Sequence, residues 1–211
     1  MASCIIFGAA DFDGLIEPIG AEDYVIAADG GLVHTQKLGI TPRTIIGDFD
    51  SLGYVPEGST VFPVEKDDTD SMLAVKRALA LGYRRFLLYG AMDGKRLDHT
   101  VANFQTLGYL ASHGGFGFLV GRDYIACAFH GGTLRFDAGM QGDFSLFCMG
   151  ADAENVTIRG LYYETDGVRL TADFPLGVSN HFTGREAEIS LSSGTLLALW
   201  QTQPRLPVWR G

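Results

Sequence analysis

Cysteine is scarce: Cys4, Cys127 and Cys148 are the three in 211 residues, and no two form a CxxC pair. An odd number at such wide spacing argues against a disulfide scaffold or a structural zinc site. These cysteines read instead as small buried hydrophobes in a reducing compartment. Long apolar runs are missing too, since no stretch approaches the roughly 20 residues of a membrane-spanning helix. The opening MASCIIFGAADF has no basic n-region and reads as a first strand rather than a signal peptide. Positive charge is also in short supply, with 16 Lys and Arg against 25 Asp and Glu, a net −9 at pH 7. Such a surface repels phosphate backbones and anionic bilayers, so no nucleic-acid or membrane partner is expected. An anionic substrate would need metal ions or a local basic patch. The expectation is a soluble, cytoplasmic protein, in which the sequon Asn155-Val156-Thr157 has no consequence.

What is present is ordinary globular composition, 46% hydrophobic and 19% charged, with 28 glycines against seven prolines. That balance predicts many tight turns and close backbone approaches. Up to residue 123 short apolar runs alternate with helical stretches. Ser3–Phe7, Tyr24–Ala28, Thr44–Ile46, Thr60–Val64, Phe86–Tyr89 and Phe116–Val120 read as strands buried on both faces. Leu32–Leu38, Asp70–Leu81 and Asp98–Ser112 read as helices, with Gly82 and Gly114 as C-terminal stops. This alternation predicts a mainly parallel sheet covered by helices, with ligands at the carboxyl ends of its strands.

From residue 124 the texture is β-rich without helices. Thr133–Phe136, Asp143–Cys148, Val156–Arg159, Gly167–Leu170, Gly177–Phe182, Glu186–Leu191 and Thr195–Trp200 predict a small sandwich or barrel. The domains are therefore read as 1–123 and 124–211. No fixed-period repeat and no low-complexity linker separates them.

The chemistry gathers after the third and fourth strands. Seven acidic residues and one basic residue, Lys66, lie between Asp48 and Asp70. Ile45-Ile46-Gly47-Asp48-Phe49-Asp50-Ser51 sets two carboxylates just past a buried strand, where extended backbone would point both the same way toward one cation. Lys66-Asp67-Asp68-Thr69-Asp70 opens a helix, and helix capping alone accounts for Asp and Thr there. Carboxylates converging from both segments on one strand edge repel one another unless a hard divalent cation such as Mg²⁺ neutralises them. Gly90-Ala91-Met92-Asp93-Gly94-Lys95-Arg96-Leu97-Asp98-His99 again ends a strand in glycine and starts a helix, with Asp98 as the expected N-cap. Lys95 and Arg96 beside a helix N-terminus suit an anion. His99 reads either as a solvated or packed histidine or as a general base. Ala28-Asp29-Gly30-Gly31 ends the second strand in the same manner, its glycines freeing backbone N–H groups for a ligand. GxxxxGK[ST] is absent and no intact GxGxxG follows a strand, so any nucleotide is held by another geometry.

Taken in order, ADGG at 28–31, GDFDS at 47–51, KDDTD at 66–70, GxxxGxRxDH at 90–99 and GVSN at 177–180 resemble the thiamine pyrophosphokinases. The resemblance spans nearly the whole chain. It implies an α/β fold plus an all-β part: an N-terminal mainly parallel αβα sheet domain that binds ATP and Mg²⁺, and a C-terminal β-sandwich domain that binds thiamine. It implies transfer of the pyrophosphoryl group of ATP to the hydroxyl of thiamine, giving thiamine diphosphate and AMP, by a homodimer with its active site at the subunit interface. Carried over by motif, Asp48, Asp50 and Asp70 would bind Mg²⁺. Lys66 and Arg96 would contact phosphate oxygens, and Asp98 would help assemble the site or take the hydroxyl proton. Asp29, Gly30, Gly31 and His99 would lie with the nucleotide, and Ser179 and Asn180 near thiamine. A plain turn also accounts for the last pair, and Trp200 reads as core or as an aromatic wall.

Two rivals stay open at this stage. An apolar strand followed by Asp-x-Asp-Ser resembles the nucleophile loop of haloacid-dehalogenase-type phosphatases, in which the first Asp is phosphorylated. A ligand-binding sensor without turnover is the other.

Overall fold

The computed structural model describes residues 2–49, 53–61 and 67–211. Its first half is built on strands β1 (Cys4–Phe7), β2 (Tyr24–Ala28), β3 (Thr44–Gly47), β4 (Thr60–Val61), β5 (Arg85–Tyr89) and β6 (Phe116–Val120). All pair in parallel, in the order β6-β5-β1-β2-β3-β4, with Ile6 of β1 opposite both Ile26 and Leu88. Apolar side chains on both faces are what such a sheet needs, because both are covered. Cys4, Ile6, Ile26, Ile46, Phe86 and Leu88 pack under helices α2 (Asp70–Ala80) and α3 (Leu97–Ser112). Ile5, Phe7, Val25, Leu87 and Tyr89 face the other way, toward the segment 9–23, whose Phe12, Leu15, Ile16 and Ile19 pack against them. Helix α1 (Gly31–Lys37) lies over β1 and β2. Gly82, at φ +93°, and Gly114, at φ +70°, follow α2 and α3 as the stops expected of them.

The second half holds β7 (Tyr124–Phe136), β8 (Asp143–Cys148), β9 (Ala153–Arg159), β10 (Thr165–Leu170), β11 (Asn180–His181), β12 (Ala187–Gln201) and β13 (Val208–Arg210). The change of texture at 123/124 falls in the turn between β6 and β7, which pair antiparallel, so one sheet runs on from the first half into the second. Here three expectations need correction. Gly177–Phe182 holds only the two-residue strand β11, since Gly177–Ser179 form a turn against β8. Thr133–Phe136 is only the end of the long strand β7, and Glu186–Leu191 and Thr195–Trp200 are one strand, β12, with a register shift between Leu191 and Thr195. Gly131-Gly132 and Ser192-Ser193-Gly194 imitate turn signals in sequence. In space they lie side by side, Gly132 opposite Leu191, and mark where both long strands bend. Before the bend β12 pairs with β9, and after it with β8. The two strands thereby contribute to both layers of a sandwich. Trp200 is wholly buried between those layers, edge-on to Phe136 at 5.2 Å and 83°, so it is core rather than the wall of a pocket.

Candidate active site

The parallel strands end, in sheet order, on Gly90 after β5, Gly8 after β1, Asp29 after β2 and Gly47-Asp48 at β3. From β1 the chain progresses to β2, β3 and β4 on one side, whereas β5 and β6 lie on the other. The crevice between β1 and β5 is therefore the switch point at which open α/β sheets bind ligands. Backbone packing there is tight. The Gly8 N–H donates to Tyr89 O at 2.8 Å and the Ala10 N–H to Gly90 O at 2.9 Å. A Cβ on Gly90 would stand 2.7 Å from Ala10 O and nearer still to Gly8 O, and one on Gly31 would overlap the Phe7 carbonyl. Gly47 serves the same end at β3, where a Cβ would press on the Asp29 backbone at 3.1 Å. Asp29 itself adopts φ +47° and donates its N–H to Ile46 O at 2.7 Å, which sets its backbone against Gly47. Gly30 stands at the N-terminus of α1.

Between the two aspartates the backbone is not extended. Phe49 has φ +60° and turns its ring into the core, 2% exposed. The alternation argument for Asp48 and Asp50 fails at this residue, and a left-handed turn anchored by a buried ring replaces it. Asp50 and Lys66 lie outside the described residues. In the KDDTD segment, Thr69 is the N-cap of α2, its Oγ1 accepting the Met72 N–H at 3.2 Å. Asp68 takes both of its oxygens to Lys76 Nζ at 2.7 Å, which binds the loop to the helix. Asp70 is left as the carboxylate of the first turn, near the positive end of the helix dipole.

After β5, Thr100 Oγ1 donates to Met92 O and Asn103 Nδ2 to Ala91 O, both at 2.6 Å, so α3 holds the Gly90 loop from beneath. Asp98 is not the N-cap. Arg96 occupies that position without a side-chain cap, and Asp98 sits in the first turn, 2.5 Å from Arg96 Nη2. The N-cap of α3 falls two residues before Asp98, which therefore stands inside the first turn, where the Arg96 guanidinium pairs with the carboxylate. The guanidinium also holds the Asp98 carboxyl below the usual carboxylate range. His99 and Lys95 are exposed beside this pair.

Ser179 and Asn180 lie in the second half of the chain, beside β8. Gly177 docks its carbonyl on the Leu146 N–H at 2.9 Å, and Ser179, at φ +63°, donates its N–H to Ser145 Oγ at 3.3 Å. Val178 and Ser179 line a cavity of about 340 Å³ with Tyr124, Asp143, Phe147 and Leu199. Asn180 is buried and turned away from it. Its Oδ1 accepts the N–H groups of Tyr163 and His181, and its Nδ2 donates to Tyr163 O at 2.8 Å. It positions the turn rather than facing a ligand. Asn180→Ala is expected to lower stability by about 2–3 kcal/mol, because buried backbone partners lose their bonds, and to weaken ligand binding in the cavity through the distorted turn. Chemical denaturation checks this; wild-type stability would overturn it.

One group has no counterpart in the motifs. Arg122, in the turn after β6, donates its N–H to Asp93 Oδ2, and its guanidinium reaches Asp13 at 3.3 Å and Asp11 at 3.8 Å. Its members come from three separate chain segments, and each strand-plus-charge segment is unremarkable alone. Gly8 was discoverable, because Phe7-Gly8 repeats the strand-then-glycine pattern of the other edges.

The chain has recognisable relatives. The family model described as the thiamin pyrophosphokinase catalytic domain matches residues 17–114, and that for the thiamin pyrophosphokinase vitamin B1 binding domain matches 133–196. No curated protein sequence matches. Among solved structures, the fold is similar to thiamine pyrophosphokinase from Bacillus subtilis, at 22% identity over 95% of this chain and 99% of that one, with a TM-score of 0.85. It is also similar to the enzyme from Geobacillus thermodenitrificans, at 23% identity over 96% and 98% with a TM-score of 0.79. The Candida albicans enzyme follows at 14% identity over 95% and 89%, with a TM-score of 0.75. At these identities the likeness is one of fold.

Proposed function

The chain belongs to the thiamin pyrophosphokinase family and transfers the pyrophosphoryl group of ATP to the hydroxyl of thiamine, and we propose that it does so with Mg²⁺ at the carboxyl edge of β5, β1, β2 and β3. The observation that carries this siting is the succession of Gly90, Gly8, Asp29 and Gly47-Asp48 along the carboxyl edge, with the switch point between the first two. Residues 1–123 hold ATP in this reading, and 124–211 hold thiamine.

Carboxylate oxygens are the hard donors Mg²⁺ prefers, and one or two suffice when phosphates and waters complete the octahedron. Among the described residues no three Asp, Glu, His or Cys form a closed cage. Asp48, Asp70 and Asp50 are assigned to the metal, which would offset the charge on the polyphosphate oxygens. Lys66 and Arg96 contact phosphate oxygens, with Arg96 leaving Asp98 to do so. The freed Asp98 carboxylate then stands ready to orient the site or to take the hydroxyl proton. The Asp29-Gly30-Gly31 loop offers backbone N–H groups to the nucleotide, and His99 lies beside it. The thiamine oxygen bonds to the β-phosphorus while the bond from that phosphorus to the α-phosphate oxygen breaks, and AMP leaves. Phosphoryl-type transfer of this kind rests on positioning and charge neutralisation.

Thiamine is assigned to the Ser179 cavity, whose apolar walls suit flat rings and whose Asp143 suits a cation. The proposal includes a homodimer with its active site at the subunit interface. The reading places the enzyme in the cytoplasm; no helix is long and apolar enough to cross a membrane among the described residues.

Incubation with ATP, Mg²⁺ and thiamine, resolved by chromatography, tests the reaction. Thiamine diphosphate with AMP is expected, and ADP with thiamine monophosphate would overturn it. Excess EDTA should abolish turnover; full activity in its presence would remove Mg²⁺ from the proposal. A monomeric mass by light scattering in a fully active preparation would remove the dimer.

A further inference from the structure

Arg122 occupies a place that no motif marks. Its turn lies at the carboxyl end of β6, and the backbone there is fixed from several sides. The Gly121 N–H donates to Tyr124 O at 2.9 Å, Thr202 Oγ1 donates to Gly121 O at 3.0 Å, and the Thr202 N–H donates to Asp123 O at 2.9 Å. A Cβ at Gly121 would press on Met92 and on Asp93 Oδ2 at 2.6 Å, so the turn packs directly against the loop after β5. From this fixed base the side chain passes over the end of β5 to Asp11 and Asp13, in the loop after β1. It thus spans both walls of the β1–β5 crevice. The same β1 loop carries Phe12, whose ring packs on Phe7, Tyr89 and His34.

The charges decide what such a bridge does. At the mouth of the crevice the Arg122 guanidinium meets Asp11 and Asp13, and beside them Asp93 accepts the Arg122 backbone N–H. Three carboxylates without it would repel one another, lift the β1 loop and repel an incoming triphosphate. We infer that Arg122 is a positioning residue for ATP: by drawing Asp11 and Asp13 onto the turn after β6, it holds the β1 loop down and lowers the negative potential at the crevice. The inference rests on the proposed siting of ATP at this edge. It assigns a role to a residue outside the five motifs.

The test is titration of Mg²⁺–ATP without thiamine, by calorimetry, alongside steady-state kinetics. Arg122→Ala should weaken ATP binding and raise its KM about fivefold at low ionic strength, the scale of losing an exposed charge partner beside an anionic ligand. The change should fall on KM for ATP rather than on kcat or on KM for thiamine, a cation. It should shrink below about twofold near 0.5 M salt, where the Debye length is only a few ångströms. Arg122→Lys, which keeps the charge, and Asp11→Asn with Asp13→Asn in the Arg122→Ala background should both restore affinity. Unchanged ATP binding in Arg122→Ala at low salt would overturn the inference. So would a loss that charge restoration and salt leave untouched, since that is the behaviour of a packing residue. A wild-type enzyme that binds ATP but makes no thiamine diphosphate would sink the proposed reaction while leaving this binding test intact.

Discussion

Replacing Asp48 with Asn should lower turnover by roughly a hundredfold or more, on the scale of losing a charge-stabilising group in a preorganised site, with the fold intact. The local structure explains why the two effects separate. The turn after β3 is shaped by Gly47, which leaves room for Asp29, and by Phe49, whose ring is buried at φ +60°. An asparagine at 48 keeps the side-chain shape and leaves both of those anchors in place. It removes one negative charge while both anchors of the turn stay, so the apo-protein should remain folded with a melting temperature near that of the wild type. Asp50→Asn should behave alike. Thiamine affinity should change little in either variant, because the Ser179 cavity lies across the sheet. Melting temperature, steady-state rate and thiamine binding on the same preparations check the three parts. Near-wild-type turnover would show that Asp48 is a turn residue and no metal ligand.

The edge was legible in the sequence because its signal is local. An apolar run buried on both faces, then glycine or aspartate, then a helix, marks a parallel strand and its ligand-facing end, and β2 and β5 read that way from the sequence pattern alone. The capping reading of Thr69 was equally local and the hydrogen bond to Met72 bears it out. What escaped depended on partners distant in the chain. Gly131-Gly132 and Ser192–Gly194 read as turns until β7 and β12 are laid side by side, when they become one shared bend. Asn180 offers the functional groups of a ligand-binding residue, yet three hydrogen bonds to neighbouring backbone use them. Asp98 followed the general preference for an acidic N-cap, but the N-cap of α3 falls two residues earlier and leaves Asp98 in the first turn. The Arg122 bridge requires the order β6-β5-β1, a property of the sheet that no window of sequence contains.

The second large effect should come from a methyl group. Gly90→Ala and Gly82→Ala make the same chemical change at residues that both have positive φ, +63° and +93°. At Gly82 nothing lies within 4 Å of the new Cβ, so only the backbone preference is lost, about 1 kcal/mol. Over a chain of this size that lowers the melting temperature by roughly 2–4 °C. At Gly90 the same strain is joined by collision with two backbone carbonyls, those of Gly8 and Ala10, neither of which can rotate away as a side chain would. Relief requires the ends of β1 and β5 to part, which breaks the bonds from Gly8 N–H to Tyr89 O and from Ala10 N–H to Gly90 O. The cost should reach about 3 kcal/mol or more, in the range of severe single substitutions, and the melting temperature should fall by roughly 6–12 °C. Because those strand ends form the crevice, ATP affinity should drop in whatever fraction remains folded, whereas Gly82→Ala should bind as the wild type does. Equal thermal shifts in the two variants, or wild-type ATP binding by Gly90→Ala, would show that the close approach of β1 and β5 does not set the geometry of the site.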